Sequence, residues 1–243
     1  MAEQQVPAIV VGEGSGCQST SSAVLQTSLA ATVSSAVLLL DGVTLDSEGN
    51  SALHVVASSG DSDTYHDCAK LIYGKAKKLL DAENKSGDTP LHCAARAGHP
   101  NMVSHLIKLA TPTPTRDDDA SKKVMEFLEK KNELGETALH GAVRSANTEV
   151  IEKLMSTAPG LANVPSDGIS PLYLAISLGR LDVAWDMMKK SSNRLSYSGP
   201  DGQNVFHIAV FKSEGTHLTN SCLNRLFYIS FPINVPETLN RGE

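Results

Sequence analysis

The sequence predicts an all-α solenoid, a line of stacked helix-turn-helix units, and three observations carry that reading. One stretch, Gly87 to Ile107 (GDTPLHCAARAGHPNMVSHLI), describes a complete unit. The chain then repeats it: GNSALHVVASSGD from Gly49, GETALHGAVRSANTEVIEKLM from Gly135, GISPLYLAISLGRLDVAWDMM from Gly168 and GQNVFHIAVF from Gly202. Finally, 41 % of the 243 residues are apolar but only 5 % aromatic, which suits helices packed closely through small and aliphatic side chains.

Within the founding unit, Thr89 can cap a helix that opens on Pro90, where the missing N–H costs nothing and the fixed φ favours entry. Leu91, Ala94 and Ala95 form its apolar face, and the two alanines allow another helix to approach closely. Gly98 supplies the positive φ that helix C-termini favour, so the first helix ends there. Pro100 opens the second helix, in which Met102, Val103, Leu106 and Ile107 share one side of a 3.6-residue period. A pair of about 20 residues cannot bury enough surface alone, so its copies must stack on it.

Taking His54, His92, His140, Tyr173 and His207 as equivalent marks, the units recur at intervals of 38, 48, 33 and 34 residues. Two of these match the ankyrin period of about 33. The Thr-Pro-Leu-His run of Thr89 to His92 is intact, and Thr137-Ala138-Leu139-His140 is nearly so. Over about Asp46 to Lys212 the chain therefore resembles the ankyrin-repeat family, with about five repeats, the last incomplete. The resemblance implies a rigid concave face with projecting turn tips and no catalytic role. It also implies that the recurring histidine is structural, its ring tying the turn to its own helix. A metal site is not expected of the histidines, because ligands must converge on one ion whereas equivalent positions in stacked repeats march along a line.

The long segment CAKLIYGKAKKLLDAENKSGDTPLHCAARAGH, the insertion before VMEFLEKKNELGETALH, and LSYSGPDGQN are similar to plant membrane ankyrin proteins of the accelerated-cell-death type. That resemblance implies a role in plant defence or cell-death signalling. It also implies further repeats and a C-terminal group of transmembrane helices, of which neither is found in this sequence. No run of about 18 apolar residues follows the repeats. The family's membrane anchoring is thus placed in doubt, and any membrane contact is expected to be indirect.

The chain divides into residues 1–45, 46–212 and 213–243. Met1 to Thr20 reads as disordered, and Leu25 to Leu40 as an amphipathic helix that closes the first repeat; polar residues from Gln26 to Ser35 argue against a membrane span. Met1 to Ala69 holds eight acids and no Lys or Arg, which leaves +2 of the net −6 on the remainder. Such a balance lacks the clustered basic face that nucleic acid requires. No signal or transit peptide opens the chain, so Cys17, Cys68, Cys93 and Cys222 are expected to be reduced thiols in the cytoplasm, the cytoplasmic face of the plasma membrane being the alternative location.

The first repeat is lengthened in its second helix, whose apolar face is read as Cys68, Leu71, Ile72, Ala76, Leu79 and Leu80. The 48-residue interval comes from an insertion, TPTPTRDDDA, with Asp117 to Asp119 suiting the start of a helix over Ser121 to Lys131. Ala146-Asn147 stands where Gly98 stood in the founding unit, Asn being the usual second choice for a left-handed conformation. After Lys212 the pattern fails: residues 213–243 form either an improvised cap or the point where a longer array is truncated, and truncation is preferred.

As function these readings point to a non-enzymatic protein-interaction module without cofactor, metal or small-molecule substrate. Its partners are other proteins, longer ankyrin relatives among them. An alternative is a soluble isoform that regulates membrane-anchored relatives by association through apolar surface around Phe206, Ile208 and Phe211. The candidate contact residues at the turn tips are Glu48, Asn50, Lys85, Asp88, Glu133, Glu136, Asp167, Ile169, Asp201 and Gln203. Acids outnumber bases among them, which suits a basic or polar partner patch. No nucleophile elbow, phosphate loop or metal-ligand pair at i, i+4 competes with this reading.

Overall fold

A computed structural model describes residues 46–111, 119–165, 168–191 and 195–215, with backbone alone at 119–121 and 213–215. The expected N-terminal capping helix, the linking acids Asp117 and Asp118, and residues 216–243 lie outside the described residues, as do Cys17 and Cys222. Ten α-helices and no strand occur among the described residues. They are α1 Ala52–Ser59, α2 Asp63–Lys75, α3 Pro90–Ala97, α4 Pro100–Ala110, α5 Asp119–Leu128, α6 Ala138–Ser145, α7 Thr148–Thr157, α8 Pro171–Ser177, α9 Leu181–Lys190 and α10 Val205–Gly215.

The inner helices α1, α3, α6, α8 and α10 pack in sequence, each on the next, while α2, α4, α7 and α9 form an outer layer packed in the same order. The helix α5, from the insertion, lies against α4. The core runs continuously between the layers. Ala94, Ala95, Met102, Val103 and Leu106 are fully buried, and the larger aliphatic side chains contribute about 1.5–3 kcal/mol each on burial. Small residues set the inner spacing: a Cβ at Gly141 would stand 3.4 Å from the Arg96 nitrogen.

Helix boundaries follow local chemistry. Thr89 caps α3 with Pro90 first in the helix, and Gly98 ends it at φ 76° with its N–H on the Ala94 and Ala95 carbonyls. The cap of α4 comes from another repeat. His99 offers no side-chain cap. Instead the Asp61 carboxylate accepts from Asn101 N–H at 3.1 Å, from the Asn101 amide at 3.0 Å and from Met102 N–H. His99 Nδ1 also lies 3.0 Å from the Ala57 carbonyl, joining the first and second repeats again.

Three local expectations are corrected. Leu71 lies 59 % exposed, because the buried face of α2 is Cys68, Ala69 and Ile72 and Leu71 points away from it; after α2 ends at Lys75 a 3₁₀ turn over Lys77–Leu80 buries Leu79 and Leu80. The left-handed residue after α6 is Ala146 at φ 53°, not Asn147. Asn147 is retained as the cap of α7, accepting from Val150 N–H at 2.9 Å while its amide donates to the Gly98 carbonyl at 3.1 Å. The insertion helix covers Asp119–Leu128, beginning earlier and ending earlier than 121–131.

Candidate partner-binding face

Three of the turns that lead into repeats are built around an Asx residue. The Asp46 carboxylate accepts from the Glu48 and Asn50 amides, Asn84 Oδ1 from the Ser86 and Asp88 amides, and Asn132 Oδ1 from the Leu134 and Glu136 amides, all at 2.9–3.0 Å. These local bonds fold the backbone back on itself without strands. The turns are then tied to one another. Lys85 N–H donates to the Glu48 carbonyl and Glu133 N–H to the Ser86 carbonyl, each at 3.0 Å. Asn84 Nδ2 donates to Asn50 Oδ1 at 2.8 Å, and Asn132 Nδ2 to Asp88 Oδ1 at 2.9 Å.

The histidines complete this lattice. In His54, His92 and His140 the Nδ1 atom accepts a backbone N–H from the residue capping its own helix, Ser51, Thr89 or Thr137, at 3.0–3.2 Å. That bond fixes the tautomer, because Nδ1 must be the bare nitrogen and Nε2 the protonated one. Nε2–H donates to the next repeat, to the carbonyls of Asp88 (2.8 Å), Glu136 (3.1 Å) and Ile169 (2.9 Å). The ring therefore ties the turn to its own helix, as expected, and also clamps the following repeat. Burial holds the pKa of all three below the ordinary histidine value. Tyr173 performs the same task by other means: its hydroxyl donates to Gln203 Oε1 at 2.8 Å.

The ten candidate contact residues divide into groups. Glu48, Lys85, Glu133, Asp201 and Gln203 are exposed at the tips, whereas Asn50 and Ile169 are partly buried. Asp167 lies outside the described residues. Asp88 and Glu136 do not project: they are only 2 % and 7 % exposed. In these two repeats the side chain before the helix cap turns inward and meets an arginine eight residues on. Asp88 accepts from Arg96 Nη2 at 2.5 Å, and Glu136 takes both Nε, at 3.3 Å, and Nη2 of Arg144. Burial raises the Asp88 pKa, but the bonds from Asn132 and Arg96 outweigh it, so the carboxyl titrates below its ordinary range.

Arg96 and Arg144, about half exposed, were missed in the sequence. Their signal was present as an acid before a helix cap, followed at i+8 by an arginine in that helix's last turn, in two repeats. Each guanidinium is pinned from behind by a buried carboxylate and still presents donors outward. Arg96 forms one wall of a cleft of about 380 Å³ that includes Glu48, Asn50, Ser86 and Asp88. The face thus offers exposed acids at the tips and oriented guanidinium donors on the inner helices.

A hydroxyl 2.8 Å from an imidazole, as in Ser51 with His54 and Thr89 with His92, is also the geometry of an activated nucleophile. Here both groups are buried, Nδ1 already accepts a backbone N–H, and Nε2 is bonded to a carbonyl of the next repeat, so the pair is a helix cap. On the outer surface His66 and His105 stack with ring centroids 5.3 Å apart and planes 12° from parallel. In-plane lone pairs of two nearly parallel, offset rings do not meet at one ion.

A family model described as ankyrin repeats (three copies) matches residues 28–118. The fold is an ankyrin-repeat solenoid. The match begins ahead of Asp46 and extends through the first two described repeats; the third, α6 with α7, reproduces the turn lattice of the second bond for bond. Ankyrin repeats bind other proteins, and they are generally non-enzymatic. Among the described residues no helix is long and apolar enough to cross a membrane.

Proposed function

We propose that the chain is a non-enzymatic interaction module of the cytoplasm that serves plant defence or cell-death signalling. The signalling role rests on the resemblance of residues 68–99, 124–140 and 195–204 to accelerated-cell-death-type proteins. The contact surface is the row of turn tips with the inner-helix arginines beside it. One observation carries this reading: the first three tips are hydrogen-bonded to one another, so Glu48, Lys85 and Glu133 stand on a backbone that is ordered before any partner arrives. Pre-ordering lowers the entropy lost on association, and that is the physical advantage of such a surface. Exposed acids at the tips favour basic side chains on the partner, and Arg96 and Arg144 favour acceptors set deeper in the groove.

The test is affinity capture with the full chain and a charge-reversed variant, Glu48→Lys with Glu133→Lys. Proteins retained by the first and lost by the second are the expected result. Retention of the same set by both refutes the tip assignment.

A second reading, association with longer ankyrin relatives, is favoured by α10. Phe211 is 71 % and Val210 51 % exposed there. Such apolar exposure on the last described helix suits stacking on a further repeat. Phe211→Asp is expected to abolish association with a longer relative in size-exclusion chromatography with light scattering; unchanged association refutes it.

A further inference from the structure

The buried histidines His54, His92 and His140 each use both ring nitrogens, but two others do not. His66 on α2 and His105 on α4 stack across the seam between the outer helices of the first two repeats, with ring centroids 5.3 Å apart and planes 12° from parallel. Both Nε2 atoms are buried, and neither has a hydrogen-bond partner among the described residues. A neutral imidazole tolerates such a place by leaving one nitrogen bare. An imidazolium does not, because both nitrogens then carry protons that need acceptors.

The groups around the two rings are unequal. His66 Nε2 lies 3.6 Å from Asp61 Oδ1, and its Nδ1 lies 3.7 Å from Asp63 Oδ1, both beyond hydrogen-bond length. The first of these oxygens is already in use, since it accepts the Met102 N–H that begins α4. A proton on His66 Nε2 therefore competes with the cap of the neighbouring helix. His105 faces His66 and Lys70 on α2 and Lys108 on its own helix. Burial and then these three charges hold its pKa below the ordinary histidine value, and Asp67 opposes them less. Lys153 of α7 lines the same cleft, of about 670 Å³, and pairs with Glu149 at 3.8 Å.

We propose that the His66–His105 stack is a pH-sensitive latch between the first two repeats, closed while the rings are neutral and released when both carry a proton. Two stacked imidazolium rings repel one another, and the second has no acceptor for its buried N–H. Release separates α2 from α4 and uncovers Cys68, Ala69 and Ile72, the buried face of α2. The closed state refuses a proton at His105 that an open state accepts, so the latch holds above about pH 6.5 and loosens as pH falls below it.

The test is peptide-resolved hydrogen exchange on the full chain at pH 7.5 and 5.5, with rates corrected for the intrinsic pH dependence of amide exchange. In the wild type α2 is expected to open more often than the whole chain unfolds. That opening is expected to be about tenfold more frequent at pH 5.5, the limit for one ring that refuses its proton. His105→Phe and His105→Gln, neither of which titrates, are expected to hold it constant within about twofold. A wild-type α2 that opens equally often at both pH values, or only when the whole chain unfolds, overturns the proposal. So does a tenfold rise retained in either variant that circular dichroism shows to be folded, which would place the titration at His54 of the same repeat.

Discussion

Replacing His92 by alanine removes three bonds at once: those from Thr89 N–H (3.2 Å) and with the Thr89 hydroxyl (2.8 Å), and the one to the Glu136 carbonyl (3.1 Å). All these atoms sit where water is largely excluded, since His92 is 5 %, Thr89 1 % and Glu136 7 % exposed. A net hydrogen bond contributes about 0.5–1.5 kcal/mol, and a buried group left without its partner costs about 1–3 kcal/mol. His92→Ala should therefore destabilise the chain by about 3 kcal/mol or more. His207 provides the internal control. It occupies the same place in the last repeat, but it is exposed and the structure shows its Nδ1 accepting only Asn204 N–H at 3.1 Å, so His207→Ala should cost under about 1 kcal/mol. Urea unfolding followed by circular dichroism measures both variants. Equal losses would refute the inter-repeat clamp and leave the ring as a cap of its own helix alone.

Acidification should unfold the chain through the same rings. His54, His92 and His140 have folded pKa values held below the unfolded value of about 6.5, chiefly by burial, so the unfolded chain binds protons that the folded chain refuses. Stability is complete above that value and is lost as pH falls beneath it, by up to about 1.4 kcal/mol per pH unit for each ring; a midpoint that stays flat from pH 7 to 5 contradicts this. Asp88, with a lowered pKa, acts in a separate window: its contribution holds above about 3.8 and is lost as pH falls through its folded value. Gly87→Ala should destabilise by about 2 kcal/mol or more, because φ is 72° there and the new Cβ would meet the Glu133 nitrogen at 2.7 Å; thermal unfolding checks it against Gly135→Ala, where φ is also 72° but nothing lies within 4 Å. In a double-mutant cycle, Asp88→Ala and Arg96→Ala should show a coupling energy, whereas Glu149→Ala and Lys153→Ala, an i, i+4 pair at 3.8 Å with its acid well exposed, should couple weakly.

Much of the fold was legible because it is written in local chemistry. Thr89, Pro90 and Gly98 mark the ends of α3 through backbone preferences that need no tertiary partner, and Met102, Val103, Leu106 and Ile107 declare one face by spacing alone. The histidine series was legible as structural but only in part: its bond to the capping residue lies three positions away, whereas its bond to the next repeat crosses 34, 44 or 29 positions. The inward turn of Asp88 was hidden for the same reason. Whether the residue before a helix cap projects or folds back depends on Asn132, 44 positions on, and on Arg96. Sequence spacing placed Asn147 near a left-handed site, but the acceptor needed by Val150 N–H fixed it as a cap and left Ala146 with the positive φ. Leu71 was assigned inward beside Ile72, but Cys68, Ala69 and Ile72 set the buried face of α2 and Leu71 lies about 100° round the helix from Ile72.

The central claim is that partners meet the row of turn tips and the inner-helix arginines. Site-specific photocrosslinking tests it most directly, with the reactive side chain placed in turn at Glu48, Lys85, Glu133 and Arg96, and at Leu71 and Glu152 on the outer helices. The account predicts one common set of crosslinked proteins from the first four positions and none of that set from the last two. The same proteins captured from Leu71 or Glu152 and missing from the tips would contradict it.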